Sequence, residues 1–162
     1  MVPGSRQDSL QTLELIWCRA IEGELNTDEL LLAQNEERKT ALHFAASENH
    51  VGILQQLWDW TETEQQNANE LRKDLLLAKD NKGFTAWHHA TLNGSSEALE
   101  KIIGFAIDAE LSPNESLLAQ GENGVTAFHM AAKGNHVGIL QNLWFWAEIT
   151  QQNPRELKKI YF

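Results

Sequence analysis

The feature that most constrains this chain is that it repeats itself. At a constant offset of 86 residues, His50-Val51-Gly52-Ile53-Leu54-Gln55 returns as His136-Val137-Gly138-Ile139-Leu140-Gln141. The same offset carries Trp58 and Trp60 onto Trp144 and Trp146, and Gln65-Gln66-Asn67 onto Gln151-Gln152-Asn153. A weaker third copy lies between them, marked by Thr85-Ala86-Trp87-His88 midway from Thr40-Ala41-Leu42-His43 to Thr126-Ala127-Phe128-His129. Each motif follows an apolar tag: LLLAQ from Leu30, LLLAK from Leu75 and LLAQ from Leu117. A half-unit upstream places Leu13, Ile16 and Trp17 in line with Leu54, Leu57 and Trp58. Units of this size cannot bury a hydrophobic face alone, so they must stack into a solenoid of about three and a half repeats.

Each unit reads as two helices, which makes the chain all-α. The first is short and rich in Ala, with Thr40 or Thr126 placed to cap it. The second sets Val51, Leu54, Leu57, Trp58 and Thr61 at spacings of three and four, which form one apolar stripe. Asn49, Asn135 and the Asn93-Gly94 pair break the chain between the two helices. Small Ala side chains let the short helices approach closely, while the long ones supply bulk.

These residues resemble the ankyrin repeat. The family's T-P-L-H-x-A-A, Gly-His and following apolar helix are matched by TALHFAASENHVGILQQL and TAFHMAAKGNHVGILQNL, and less well by TAWHHATLNGSSEALEKI. The D-x-x-G turn before the Thr is intact as Asp80-Asn81-Lys82-Gly83, half kept as Gly121-Glu122-Asn123-Gly124, and nearly lost as Asn35-Glu36-Glu37-Arg38. The resemblance covers roughly residues 13–160. It divides the chain into an N-terminal tail (1–12), a half-repeat or cap (13–29) and repeats over 30–74, 75–115 and 116–162. Three departures stand out. Ala41, Ala86 and Ala127 replace the usual Pro, Arg38 replaces a Gly that favours positive φ, and the units exceed the family's period of about 33 residues. The added residues follow the tryptophans, and read as an elongated second helix, a turn, and a short helix or loop leading into the next tag.

Six histidines invite a metal or catalytic reading, but the repeat assigns five of them. His43, His88 and His129 are the motif histidines, which the resemblance makes structural, and His50 and His136 open the second helices. His89 is the remaining one, read as packed or on the surface. No His, Cys or carboxylate recurs at metal-ligand spacing. Cys18 beside Trp17 reads as a small core residue, and as the sole cysteine it excludes an intrachain disulfide. No catalytic motif such as G-x-S-x-G or a P-loop occurs, so neither an enzyme activity nor a cofactor is expected.

Charge narrows the partner class. Lys and Arg number 13 against 23 Asp and Glu, a net charge of −10, which disfavours sequence-blind binding to nucleic acid or an anionic membrane. No apolar run approaches the roughly 20 residues of a bilayer span, and the N-terminus lacks the apolar stretch of a signal peptide, so a cytoplasmic, intracellular placement is expected. The resemblance implies a protein partner, bound through turn tips and the exposed face of the short helices. By register that strip comprises Gln34, Glu36, Glu37, Lys39, Ser47 and Glu48 in the first unit. It continues as Lys79, Asn81, Lys82, Phe84, Leu92 and Asn93 in the second, and Gln120, Glu122, Asn123, Val125 and Lys133 in the third. Phe84 and Leu92 at its centre are the expected anchors.

Two further readings stay open at this level. The W-x-W pairs either enlarge the core between long helices or form an aromatic ridge for a partner, and one ring of each pair should leave the main stripe. The last unit is more apolar than the first, with Phe145 for Asp59, Ile149 for Thr63, and Ile160-Tyr161-Phe162 beyond. That fits a fragment of a longer array, self-association through this end, or local packing. The expected function is a non-catalytic interaction scaffold that forms a fragment or module of a larger protein. The alternatives are a virus- or symbiont-derived effector that binds a host regulatory protein, and a targeting module of an enzyme assembly.

Overall fold

The repeated Thr-x-x-His sets the local structure. The Thr40 and Thr85 amides each donate to the Nδ1 of the histidine three residues on, at 3.1 and 3.2 Å, and Thr126 does the same to His129 at 3.2 Å. The histidine thereby returns a capping bond to the first turn of each short helix. A computed structural model describes residues 26–62 and 68–152 and the single positions 15, 18, 22 and 23. All regular structure among the described residues is helical.

Helix α1 (Thr27–Leu31) leads into the first finger-like turn. Helices α2 (Ala41–Ser47) and α3 (Val51–Asp59) form the first pair, and a 3-10 turn, Trp60–Glu62, extends α3. An added helix, α4 (Ala68–Leu77), leads to the second finger and to the pair α5 (Ala86–Leu92) and α6 (Ser96–Asp108). Helix α7 (Pro113–Leu117) and a 3-10 turn (Glu122–Gly124) precede α8 (Ala127–Lys133) and α9 (Val137–Gln152). Inner helices α2, α5 and α8 pack side by side, and so do outer helices α3, α6 and α9. The expected elongated second helices are present, at 13 residues in α6 and 16 in α9.

The break between paired helices occurs where the sequence placed it. Asn49, Gly94 and Asn135 all have positive φ, at 56°, 72° and 56°. Each of these turns also contacts its neighbour: the Asn49 Oδ1 accepts from the Ala98 amide at 2.9 Å, and Gly94 lies against the His136 ring.

The core runs along the stack. Leu42, Leu54, Leu57, Leu75, Leu76, Trp87, Leu99, Ile102, Ile103, Ile139, Leu143 and Trp146 are buried. The W-x-W pairs divide their work by direction. Trp58 stacks on Phe105 of the following repeat at 4.4 Å, while Trp146 stacks on Trp87 of the preceding repeat at 5.0 Å. One ring of the last pair does leave the core. Trp58 is 4% exposed, yet its register equivalent Trp144 is 66% exposed, because no described residue lies beyond α9 to cover it.

The insert is fastened by Arg72 of α4. Its Nε donates to the Thr61 hydroxyl at 2.9 Å, its terminal nitrogens pair with Glu62 (3.1 Å) and Asp108 (3.3 Å), and the guanidinium lies 4.9 Å from the Trp58 ring centroid.

Cys18 corrects one expectation. It is exposed, as is Leu15 three residues before it on the same helical face, so this face of the half-unit points to solvent rather than into the core. Leu13, Ile16, Trp17 and Ile160–Phe162, and the side chain of Ile149, lie outside the described residues.

Candidate interaction surface

Three fingers and three inner helices line up along one side of the stack. The second finger is an Asx turn: Asp80 Oδ1 accepts from the Lys82 and Phe84 amides, both at 2.9 Å, and Gly83 takes φ 75°. The first finger closes the same way despite its eroded sequence. Asn35 Oδ1 accepts from the Glu37 (3.0 Å) and Lys39 (2.9 Å) amides, and Arg38 itself adopts φ 60°. The third finger has no side-chain acceptor at Gly121. It closes through the Gly121 amide to the Val125 carbonyl at 2.9 Å, with Asn123 at φ 58° and Gly124 at φ 72°.

Backbone bonds tie the fingers in series. The Asn81 amide donates to the Glu37 carbonyl at 2.9 Å, and the Glu122 amide to the Lys82 carbonyl at 2.6 Å. The motif histidines add a second line of bonds. His43 Nε2 meets the Phe84 carbonyl and His88 Nε2 the Ala119 carbonyl, both at 3.1 Å. A carbonyl only accepts, so Nε2 must carry the proton and Nδ1 is left to accept from the Thr amide. Burial disfavours the charged ring, lowering His43 and pushing His88 down to about 4 against the opposing pull of these carbonyls. The structural role expected for these histidines is what they perform. His129, in the last described repeat, is exposed.

His89 sits at the centre of the strip. Its Nε2 lies 2.9 Å from Asp80 Oδ2, and its ring meets His43 edge-on at 5.5 Å. Burial raises the Asp80 carboxyl, but the Phe84 amide, His89 and the Lys82 amide outweigh it and hold the group below its ordinary value. This pair braces the second finger against helix α5. Among the described residues no group of three or more His, Cys, Asp or Glu is placed to hold a metal ion.

The strip residues named from the sequence fall as follows. Gln34, Glu36, Glu37 and Glu48 are exposed, as are Lys79, Asn81, Lys82, Leu92, Asn93, Gln120, Glu122, Asn123 and Lys133. Lys39, Ser47, Phe84 and Val125 are half-buried. Lys39 pairs with Glu37 at 2.7 Å, Ser47 accepts from the Asn93 amide side chain at 2.8 Å, and Lys79 reaches the Gln120 carbonyl at 3.4 Å. Phe84 packs between fingers: its ring lies so close to Gly121 that a Cβ there would collide with it. A shallow polar groove of about 460 Å³ separates the second and third fingers, lined by Asn81, Lys82, Gly83, Gln120, Gly121 and Glu122.

Phe44 was not among the residues named, and it is 50% exposed on α2, with the Lys39 ammonium 5.8 Å from its ring. It stands one place after the motif histidine, where the other repeats carry His89 and Met130. An aromatic residue pointing away from the buried side of a short helix was the signal available. Phe44 and Leu92 (45% exposed) thus project from consecutive inner helices.

Comparison with known proteins adds the following. A family model described as ankyrin repeats (3 copies) matches residues 15–114. A chain in the crystal structure of the yeast ribosomal protein Rps3 in complex with its chaperone Yar1 superimposes with a TM-score of 0.60 at 21% identity. That match covers 86% of this chain and 93% of the other. No curated protein matches by sequence.

Proposed function

Because this chain belongs to the ankyrin-repeat family, we propose that it is a non-catalytic scaffold that binds another protein across its fingers and inner helices. The observation that carries the reading is the exposure of Phe44 and Leu92 on neighbouring inner helices, within a frame of polar finger residues. Exposed apolar side chains surrounded by polar ones are the usual composition of a protein-binding patch. Lys79 and Lys82 make the middle of this strip basic while Glu36, Glu37, Glu48 and Glu122 flank it, so its centre favours a partner segment with apolar and acidic side chains. The fold neighbour is a chaperone complex with a ribosomal protein, which supports a protein as the class of ligand.

The experiment is capture of binding proteins from cell lysate with the chain and with a Phe44→Ser/Leu92→Ser variant. Both side chains are half solvated, so the variant should keep its helical circular dichroism and melting temperature while losing the captured proteins. Capture of the same proteins by both would refute the assignment. Phe84 is left intact in this test because its ring supports the contact between fingers.

A further inference from the structure

Two Asn-Gly pairs occur in the chain, Asn93-Gly94 and Asn123-Gly124. Asparagine followed by glycine is the pair most prone to lose its side-chain amide, because glycine leaves its own amide nitrogen unhindered and free to turn towards the preceding Cγ. Both asparagines are exposed, so sequence and accessibility alone rank the two pairs as equal. Their surroundings separate them.

Asn93 is held fast. Its Nδ2 donates to the Ser47 hydroxyl at 2.8 Å and to the His89 carbonyl at 3.1 Å, which fixes the nitrogen that would have to leave. The Gly94 amide donates to the Thr91 carbonyl at 3.3 Å, and a Cβ on Gly94 would lie 2.8 Å from the His136 ring, so the backbone has no room to turn. The Ser95 hydroxyl and His136 tie the same turn to the repeats on either side.

Asn123 has none of this. Its side chain makes no hydrogen bond to a described residue. A Cβ on Gly124 would meet only Gln120 Oε1, at 3.9 Å. The third finger is also the one without a side-chain acceptor. Asn35 and Asp80 each hold two amides of their fingers, whereas Gly121 offers only its carbonyl, to the Gly124 amide at 3.1 Å. A turn closed by backbone bonds alone opens locally without disturbing the stack.

We propose that Asn123 is a site of spontaneous deamidation and that the fold protects Asn93 from the same reaction. The Gly124 amide nitrogen attacks Asn123 Cγ, the new C–N bond closes a succinimide, and Nδ2 leaves as ammonia with the amide proton. Water then adds to either imide carbonyl and the C–N bond there breaks, which leaves aspartate or isoaspartate at the position. Either product places a carboxylate beside Glu122, on the finger whose backbone bonds to Lys82. Isoaspartate also adds a methylene to the main chain and so breaks the Gly124-to-Gly121 bond that closes the finger. The modification does not rest on the scaffold reading. Its consequence does, since the added charge repels the acidic partner segment that the strip favours.

The test follows both pairs in one sample. The full chain is incubated in mildly alkaline buffer, folded and in urea, then digested for peptide mass spectrometry, with isoaspartate scored by enzymatic methylation. In urea the two pairs should convert at similar rates. In the folded chain position 123 should convert about tenfold or more faster than position 93, the effect of two hydrogen bonds that hold the Asn93 amide. Ser47→Ala should speed conversion at position 93 and leave position 123 unchanged. Equal rates at the two positions in the folded chain overturn the proposal. So does an Asn123 that stays intact when folded while the chain in urea converts.

Discussion

Acidification from pH 7 should weaken this fold well before its carboxylates titrate, through the buried motif histidines. His88 is fully buried, its Nδ1 occupied by the Thr85 amide and its Nε2 by the Ala119 carbonyl. Burial lowers it from the ordinary 6.5 to about 4. Between those two values the unfolded chain binds a proton that the folded chain refuses, so stability is full above pH 6.5 and is lost as the pH falls towards 4. The span corresponds to about 3 kcal/mol for His88 at its limit, and His43 shifts in the same direction. Asp80, held below its ordinary value, keeps its contribution over this window and loses it only at lower pH. Urea unfolding followed by circular dichroism from pH 7.5 to 4.5 measures the slope, and His88→Gln should flatten it. An unfolding free energy that stays level or rises from pH 6.5 to 4.5 would refute the argument that neutral, buried histidines join the repeats.

Three substitutions test the turns and the core. Arg38→Gly should stabilise the chain by about 0.5–1 kcal/mol in thermal or urea unfolding, because a non-glycine residue at φ 60° carries a left-handed penalty that exceeds the entropy glycine adds to the unfolded state. Gly94→Ala should destabilise by about 1–3 kcal/mol, since Gly94 holds φ 72° and a Cβ would fall 2.8 Å from the His136 ring. Thr91→Val should be neutral or stabilise by up to about 1 kcal/mol, because the buried Thr91 hydroxyl has no hydrogen-bond partner among the described residues and valine keeps its shape. A loss of more than 1 kcal/mol in Thr91→Val would show that its hydroxyl is satisfied after all.

Periodicity made the architecture legible because each repeat restates the same instructions. The Thr-His motifs, the breaks at Asn49 and Asn135 and the stripe through Leu54, Leu57 and Trp58 all mark elements that the structure contains. The first finger was harder to read. Arg38 stands where glycine would be expected, and the turn closes because Asn35 supplies the acceptor that Asp80 supplies in the second. The pattern said that one ring of a tryptophan pair leaves the core, but not at which pair a given ring does so. Trp58 and Trp144 have identical register and opposite exposure, since burial in a stack depends on what lies beyond a residue rather than on its own repeat. Cys18 was misread because an apolar neighbour in sequence was taken for a shared face. Phe44 escaped notice because the strip was defined by family register, in which its position belongs to packed residues such as Met130.

The one-way reach of the motif histidines bears on how the molecule comes apart under load. His43 and His88 each reach the repeat that follows, while the Asn81 and Glu122 amides, the Asn93 and Ser95 side chains and His136 reach back to the repeat before. Tension applied across the stack therefore meets bonds at three levels of each boundary, from the motif histidine, from the finger backbone and from the turn between paired helices. A repeat held at one boundary should therefore detach before the middle one, which is held at two. Rupture in a pulling trace should then proceed from the outer repeats inward in discrete steps.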